Sequence, residues 1–389
     1  MALGIDGVRI GTWTSPDGVT GCTVILPPEG TLGGIAVRGS APGTREAAAL
    51  GPTGHVEVCH AVVLSGSSAY GLAVADGVMG WLEEQGLGYQ VGPGLVPIVG
   101  AAIVLDGGLF VPDQRPGPAE GRSACEQATA DDPPEGGVGV GTGCTVATVG
   151  GLDRAWRSGQ GIAVRRAAGI TVGAIVANNG LGEVVADDGT WLARARIPEG
   201  TPRYPEVGIA RPDAPDRRGG DDADHRSQPE GRSEPTGTAR PTGPAGPTGR
   251  TGSSGPADPT GPAGPTGPVG NTVIGAIVTD ARLTKAQACR VADLGHSGIA
   301  RALRPAHTQA DGDALFCLAT GGAEPDDTEP DDTEVAGGAP DAGPGSTVDL
   351  VAHLAAEVVA EAARRGPLAA VSAHGVPGLA TPSVDPLIS

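Results

Sequence analysis

The first half of the chain alternates between apolar runs of strand length and one amphipathic segment. Residues 58–64 are largely apolar, and residues 98–105 and 170–177 are two further apolar runs typical of buried strands. The serines within residues 65–68 can cap a helix that runs to about Gln85. One face of that helix is apolar and comprises Leu72, Ala75, Val78, Met79 and Leu82. This order of elements predicts an α/β fold.

Regular structure is predicted again after residue 270. Thr272–Thr279 is a strand candidate, and a helix opens at residues 283–284 and continues to about Leu303. Ala314–Ala319 is another strand candidate. Ser346 can cap a final helix. The apolar stripe of that helix comprises Leu350, Leu354, Val358 and Ala362.

A long low-complexity stretch, residues 211–270, separates the two groups of elements. Glycine recurs at every third position from Gly237 to Gly270, except at Arg240 and Asp258. Such a repeat is typical either of a collagen-like trimerising segment or of a disordered linker. Because the unbroken runs are only a few triplets long, we favour the disordered linker.

The expected organisation is therefore a single domain built from two parts of the chain. Residues 1–210 form the first part and residues 272–366 form the second, with a further low-complexity insert at residues 321–345. Residues 367–389 lack periodicity, so we expect a loose tail there.

Charge and cysteine content narrow the function. The formal charge of −19 at pH 7 argues against a nucleic-acid partner, because such binding rests on Lys and Arg neutralising phosphates. The six cysteines include no C-x-x-C pair and are interpreted as small buried residues in a reducing compartment. The start of the chain lacks the pattern of a signal peptide, and its apolar runs are too short to span a bilayer. We expect a cytoplasmic protein with no membrane partner, metal or cofactor.

The first candidate for chemistry is Thr272, within G-N-T-V-I-G at residues 270–275, where the predicted linker meets a strand. Its hydroxyl could attack the carbonyl of Asn271 in an N-to-O acyl shift, and hydrolysis of the ester would free the α-amine of Thr272. Such an amine has a pKa of about 7.7 to 8.0, so it can accept the proton of the same residue's hydroxyl. The alternative is an ordinary turn before a strand.

An acidic pair forms the second candidate. Asp311 and Asp313 lie in H-T-Q-A-D-G-D and are two residues apart, so in an extended segment they face the same way. They could orient the α-ammonium and the hydroxyl of Thr272. An Asx-type turn is the alternative, because Asp-Gly-Asp favours one by itself.

Two further motifs fit a reaction centre. E-G-G-V-G-V-G-T-G at residues 135–143 lacks the G-x-G-x-x-G order of a dinucleotide-binding loop, and it favours close backbone packing. Asn179 lies at the end of a predicted strand, where its amide could donate to a developing oxyanion. A turn cap is the alternative for Asn179.

Other motifs are co-linear with these across most of the chain. They are G-V-R-I-G-T-W-T at 7–14, T-G-C-T-V-I-L at 20–26, V-R-G-S-A-P-G-T-R-E at 37–46, L-S-G-S-S-A-Y-G-L at 64–72, L-T-K-A-Q-A at 283–288 and R-P-A-H-T-Q-A-D-G-D at 304–313. Together the motifs resemble the L-aminopeptidase/D-esterase family of DmpA-like peptidases. That family includes β-peptidyl aminopeptidases and nylon-oligomer hydrolases.

The resemblance implies a four-layer αββα sandwich like that of N-terminal-nucleophile hydrolases. It also implies self-cleavage into α and β fragments that stay associated, usually in a homo-oligomer. Thr272 matches the family nucleophile, Asn179 the asparagine of the oxyanion site, and Asp311 and Asp313 the pair that orients the nucleophile. An Asp-Asp pair with a cut after Asn271 is most similar to the nylon-oligomer branch.

The chain also departs from the family pattern. Arg154 and Arg157 occupy the stretch in which family members often carry lysine, and arginine cannot act as a base. Val273 replaces a common second threonine, and Asn178 is unusual beside the oxyanion asparagine.

We therefore predict an autoprocessing amide hydrolase that acts on a small peptide or amide. Glu135 is the candidate acceptor for a substrate ammonium, and Tyr70 is a second candidate for substrate binding. The first alternative is an endo-type hydrolase of 6-aminohexanoate (nylon) oligomers. A non-catalytic scaffold or binding protein is the second alternative.

Overall fold

The computed structural model describes residues 1–106, 115–201, 271–322 and 347–380. The predicted linker, nearly all of the predicted insert at 321–345, and Ser346 lie outside the described residues. In chain order the helices are α1 (Ala47–Leu50), α2 (Val74–Glu84), α3 (Pro118–Glu126), α4 (Lys285–Ala302) and α5 (Thr347–Leu368).

The strands are numbered along the chain in the same way. They are β1 (Arg9–Thr14), β2 (Gly21–Leu26), β3 (Leu32–Val37), β4 (Thr44–Arg45), β5 (Ala61–Ser65), β6 (Tyr89–Val91), β7 (Gly94–Val96), β8 (Val99–Ile103), β9 (Thr145–Val146), β10 (Trp156–Arg157), β11 (Gln160–Ala167), β12 (Ile170–Asn179), β13 (Glu183–Val185), β14 (Trp191–Ala193), β15 (Thr272–Thr279), β16 (Leu303–Arg304) and β17 (Ala314–Ala319).

Two five-stranded sheets form the centre of the fold, in the orders β1-β2-β5-β8-β4 and β11-β12-β15-β17-β3. An apolar core fills the space between them, with Ile25 and Leu64 from the first sheet and Ile175, Ile274 and Phe316 from the second. Helices α2 and α3 cover the outer face of the first sheet, and α4 and α5 cover the outer face of the second. The predicted αββα sandwich is thus confirmed.

The strand β15 runs through the middle of the second sheet and decides where the candidate residues lie. It pairs antiparallel with β12 and parallel with β17. Its residues alternate: Ile274, Ala276 and Val278 face the other sheet, whereas Val273 and Ile277 pack against the helices. This period of two follows from the pleat of a strand. Thr272, one residue before Val273, belongs to the face directed between the sheets.

Most predicted elements agree with the structure, and the clearest difference lies after β5. The helix expected from residues 65–68 starts as a 3-10 turn, Ser68–Ala73, and becomes α-helical only at Val74. Ser67 and Ser68 have φ of 64° and 54°, so neither takes the extended conformation of a typical N-cap. The backbone N–H of Ser67 donates instead to Asp106 Oδ1 at 2.8 Å.

The expected loose tail is structured as far as residue 380. Arg157 donates its backbone N–H to the Pro377 carbonyl at 2.7 Å, and Ala380 donates to Ala370 at 3.0 Å. The six cysteines are all buried, as predicted. Within the described residues, no helix has both the length and the apolar character needed to cross a membrane.

Candidate active site

The ends of two paired strands bring Thr272 and Asn179 together. Thr272 is the first residue of β15, Asn179 is the last of β12, and the two are direct partners in the antiparallel register. Both belong to the face between the sheets, because Ala177 and Ile274 on the same face lie in the inter-sheet core. Their side chains are at most 4% exposed.

The peptide bond between Asn271 and Thr272 is held from several sides. The Thr272 hydroxyl donates to the Asn271 carbonyl oxygen at 2.5 Å, and the backbone N–H of Gly312 donates to the same oxygen at 3.1 Å. The Asn271 side-chain oxygen accepts a hydrogen bond from the Thr148 hydroxyl at 2.8 Å. The carbonyl thus has one backbone donor already directed at its oxygen.

Glycine is required beside this carbonyl. A Cβ at Gly312 would come within 3.0 Å of the Thr272 hydroxyl oxygen and 2.5 Å of the Ala41 carbonyl oxygen. Residues 38–41 form backbone hydrogen bonds with the acidic pair. The N–H groups of Arg38 and Gly39 donate to the Asp313 carbonyl, and that of Ala41 donates to the Asp311 carbonyl. The central glycine of Asp-Gly-Asp therefore lets two chain segments approach the candidate nucleophile closely.

Asp313 contacts the backbone that follows the candidate nucleophile. Its Oδ1 accepts the N–H of Val273 at 2.7 Å, and its Oδ2 lies 2.7 Å from His307 Nδ1. Alternation in β17 places Asp313 on the α4 face of the sheet, because Leu315 and Cys317 pack against the helices. In the uncleaved chain Asp313 thus fixes the start of β15 without touching the Thr272 hydroxyl.

Asp311 forms the other half of the pair. It is bridged to Asn271 in parallel register, and its Oδ2 accepts the Thr308 N–H at 2.6 Å. Burial and then the charge of Asp313 raise the pKa of Asp311 to about 6, although hydrogen bonds from Thr308 partly oppose that rise. The Thr308 bond is a local contact with a residue three positions earlier and is not the predicted Asx turn, whereas Asp313 has contacts that a local turn does not explain.

His307 was not singled out from the sequence, although it opens the same motif. Its ring bonds Asp313, and its backbone N–H donates to the same Asp313 oxygen at 3.2 Å. The only available signal was its position six residues before Asp313, a spacing too general to indicate contact.

The side chain of Asn179 is fixed on both sides. Its Oδ1 accepts the Thr145 N–H at 2.9 Å, and its Nδ2 donates to the Leu105 carbonyl at 2.9 Å. An amide has two N–H bonds, so a second donor remains on Nδ2 for an oxyanion. Asn178 lies on the opposite face and donates to the Ala363 carbonyl in α5 at 2.6 Å, which gives it a structural role.

Tyr70 lies in the 3-10 turn Ser68–Ala73 and is 58% exposed, with the Arg115 guanidinium 3.9 Å from its ring centre. The turn is tied to the segment that contacts Asn179, because Ser68 donates its N–H to the Val104 carbonyl at 2.9 Å. Tyr70 therefore lies on the rim of this region, and its role in substrate binding stays a prediction.

Glu135 has other partners. Arg365 in α5 binds both of its carboxylate oxygens, at 2.8 and 3.0 Å, and the Ile162 N–H donates to Oε1 at 2.8 Å. Ile162 lies in β11 opposite Ile175, four residues before Asn179 in β12. The contacts of Glu135 in the described residues are thus with Arg365 and Ile162, and its role as acceptor of a substrate ammonium stays a prediction.

Of Arg154 and Arg157, which lie between the glycine-rich motif and β12, Arg157 lies nearer the site. It pairs in register with Thr145, which binds Asn179, and its guanidinium donates to the Thr142 carbonyl in the glycine-rich motif. Burial is the main reason that its pKa is lowered. Arg154 is partly exposed and forms an ion pair with Asp153 at 3.6 Å.

Comparison with known proteins gives relatives over nearly the whole chain. Residues 3–380 match the model of peptidase family S58. The chain is 34% identical to an uncharacterized aminopeptidase of Mycobacterium tuberculosis and 35% identical to one of Mycobacterium leprae, covering 96% of this chain and 95% and 91% of theirs. It is 29% identical to a 6-aminohexanoate-oligomer endohydrolase of Agromyces sp., covering 81% of this chain and 73% of that one.

Solved structures share the fold. A Burkholderia sp. beta-aminopeptidase has a TM-score of 0.59 at 21% identity, covering 97% of this chain and 90% of that one. The L-aminopeptidase D-Ala-esterase/amidase from Ochrobactrum anthropi, described as a variant of the N-terminal-nucleophile (Ntn) hydrolase fold, has a TM-score of 0.59 at 18% identity with the same coverage. The chain therefore belongs to peptidase family S58, the DmpA-like family, and to the amide and peptide hydrolases.

Proposed function

We propose that the chain cleaves itself between Asn271 and Thr272 and then uses Thr272 as the nucleophile of an amide hydrolase. The observation that carries this proposal is the convergence on the Asn271 carbonyl oxygen. The Thr272 hydroxyl lies 2.5 Å from that oxygen, and the Gly312 N–H donates to it at 3.1 Å. A backbone donor in this position stabilises the negative charge that develops when the carbonyl carbon is attacked.

The proposed cleavage has two steps. The Thr272 oxygen attacks the Asn271 carbonyl carbon, the C–N bond breaks, and the hydroxyl proton passes to the leaving nitrogen, which becomes the α-amine of Thr272. Water then hydrolyses the ester, leaving a carboxylate on Asn271 and restoring the hydroxyl. In the uncleaved chain Gly312 holds the Asn271 carbonyl before that nitrogen and Asp313 holds the Val273 N–H after it, which supports Asp313 as the acid next to the new amine.

In the cleaved enzyme the amine of Thr272 serves as the base for its own hydroxyl. The second N–H of Asn179 and backbone N–H groups such as that of Gly312 stabilise the oxyanion of the substrate. We expect the two fragments to stay associated, because β15 is paired on both sides within one sheet. The proposed substrate is a small peptide or amide, and a homo-oligomer remains the expected assembly.

Aminopeptidase and endo-type hydrolase remain the two substrate classes. The mycobacterial relatives are named aminopeptidases, and the Agromyces relative is named a 6-aminohexanoate-oligomer endohydrolase. An aminopeptidase needs a carboxylate that binds the substrate ammonium, and the carboxylate predicted for that role, Glu135, forms an ion pair with Arg365. An endo-type hydrolase needs no such carboxylate, so we keep it as a candidate.

Hydrolysis of a dipeptide amide and of its N-acetylated form tests whether activity depends on self-cleavage and which of the two substrate classes applies. Release of amine should increase in step with the fraction of cleaved chain during incubation. A preference of at least about a hundredfold for the free-amine substrate is expected for an aminopeptidase, because acetylation removes the charged group that such an enzyme recognises. Equal turnover of both forms would favour the endo-type activity, and amide hydrolysis that does not depend on cleavage would contradict the proposal.

The contact between Thr148 and Asn271 gives a further prediction. Replacing Thr148 with Val keeps the shape but removes the hydroxyl that holds the Asn271 side chain at 2.8 Å. Loss of one hydrogen bond of about 1 kcal/mol should slow self-cleavage by roughly fivefold. The measurement is the rate at which the uncut band disappears on a denaturing gel. Thr148→Ser, which keeps the hydroxyl, should cleave at nearly the normal rate, and an unchanged rate in Thr148→Val would remove this contact from the mechanism.

A further inference from the structure

One oxygen of the Asp313 carboxylate contacts both the ring and the backbone N–H of His307. His307 Nδ1 lies 2.7 Å from Asp313 Oδ2, and the backbone N–H of His307 donates to the same oxygen at 3.2 Å. The other oxygen, Oδ1, accepts the Val273 N–H at 2.7 Å. Since Asp313 is 1% exposed, these protein donors fix both its position and its rotation.

His307 has acceptors at both of its ring nitrogens. Nδ1 faces the Asp313 carboxylate, and Nε2 lies 3.2 Å from the carbonyl oxygen of His296 in α4. Neutral imidazole carries only one N–H, whereas imidazolium carries two. A ring between a carboxylate and a carbonyl satisfies both acceptors only in its charged form. The geometry therefore favours a positively charged His307.

We propose that His307, as an imidazolium, is the positioning residue for Asp313 in the chemistry of Thr272. Through Asp313 it fixes the start of β15 and directs a carboxylate to the place where the α-amine forms. The inference rests on the proposed function, because only cleavage creates that amine. His307 itself does not touch the reacting atoms.

The groups that face His307 support the charged form. They are Asp313 and Asp311 from its own segment, and the backbone carbonyl and ring of His296 from α4. Burial by itself lowers the pKa of His307, but the hydrogen bond and charge of Asp313, the His296 carbonyl and Asp311 outweigh it and raise that pKa.

Two further basic groups, the ring of His296 and the guanidinium of Arg38, do not oppose a charged His307. Burial is the main reason that the pKa of His296 falls to about 4, so the neighbouring ring stays neutral at physiological pH. Arg38 is half exposed and its Nε donates to Asp293 Oδ1 at 2.7 Å, so solvent and this carboxylate both screen its charge. The two histidine rings meet edge to face, with centroids 4.9 Å apart.

A purely structural role is the competing explanation, in which His307 only closes the turn before β17. Two substitutions separate the roles, because His307 has a φ of 55° that both Asn and Gly tolerate. His307→Asn keeps a donor close to the Nδ1 position but carries no charge. His307→Gly removes the donor and the charge together.

The test uses cleaved protein and a small amide substrate, with kcat and KM measured from pH 5 to 9. His307→Gly should lower kcat about 10- to 100-fold with KM nearly unchanged, since it removes a charge-assisted hydrogen bond to Asp313. His307→Asn should recover turnover to within about fivefold at alkaline pH. The acidic limb of the pH profile of kcat should move to higher pH in this variant, because loss of a positive charge raises the pKa of every nearby acid.

A structural role predicts a lower melting temperature in His307→Gly but unchanged kcat and an unmoved acidic limb, and that outcome would overturn the proposal. Adding Asp313→Asn supplies the coupling test: with Asp313 already replaced, His307→Gly should lower kcat no further. If the two substitutions lower kcat independently, so that the double variant loses the product of the two single effects, the proposal would also be overturned.

Titration of His307 by nuclear magnetic resonance separates this inference from the proposed function. The pKa of His307 should lie above that of a free histidine and should fall in Asp313→Asn, whether or not the protein is active. If the wild-type protein neither cleaves nor turns over, the proposed function fails even where this titration is as expected. If the wild type is active but the titration of His307 is the same in Asp313→Asn, the positioning role fails alone.

Discussion

Replacing Thr272 with alanine is expected to leave the chain uncut and inactive. The variant has no hydroxyl to attack the Asn271 carbonyl, and no nucleophile for an amide substrate. Removing the nucleophile of a covalent hydrolase lowers turnover by more than about a thousandfold. The measurements are a denaturing gel after prolonged incubation and an amide hydrolysis assay on the same preparation.

Thr272→Ser is the matched control, because it keeps the hydroxyl in the same place. Serine lacks the β-branch that restricts χ1, so it should cleave and turn over, with a less closely held nucleophile. A cleaved Thr272→Ala, or an active one, would contradict the assignment of Thr272. An uncut and inactive Thr272→Ser with a normal melting temperature would show that the site depends on more than the hydroxyl.

Asp313→Asn is the second substitution with a large expected effect. Asparagine keeps the shape of the side chain, but its NH2 group cannot accept the hydrogen bonds that His307 gives to Oδ2. Loss of a charged hydrogen bond of about 1.5–3 kcal/mol should lower kcat of cleaved enzyme by roughly one to two orders of magnitude. An ordinary Asx turn would accept Asn as well as Asp, so near-normal turnover would remove Asp313 from the site.

Asp311→Asn is the companion substitution. The direction in which it changes the melting temperature separates a functional acid from a structural one. Burial and the charge of Asp313 raise the pKa of Asp311 to about 6, so its charged form is disfavoured in the folded protein. A folded pKa above the unfolded value means that stability is lost as the pH rises through that range. Asp311→Asn should therefore raise the melting temperature at pH 7 while it lowers turnover. A lower melting temperature with normal turnover would favour the turn.

The sequence predicted the elements that carry the site more reliably than the contacts between them. Thr272–Thr279 and Ala314–Ala319 were predicted as strands at the bounds observed, and Thr284 caps the helix predicted to begin there. These features depend on neighbouring residues, whose side chains and period are visible in the sequence. The position of Asn179 at a strand end was likewise a local prediction.

What could not be predicted depends on register and on long-range packing. The pairing of Ile274 with Ala314 places Asp313 beside the Val273 backbone, on the α4 face rather than at the Thr272 hydroxyl. No local pattern fixes a parallel register between strands separated by a helix. The ion pair of Glu135 with Arg365 joins residues 230 positions apart, which explains why the sequence suggested a free carboxylate.

The intact mass of the purified chain tests the central claim most directly. After incubation at neutral pH, mass spectrometry under denaturing conditions should show two fragments, residues 1–271 and residues 272–389, and N-terminal sequencing of the smaller should begin Thr-Val-Ile-Gly. Their summed mass should exceed that of the intact chain by one water, as hydrolysis of one peptide bond requires. A single uncut chain after prolonged incubation, whether or not it hydrolyses amides, or a cut at any other bond, would contradict the account.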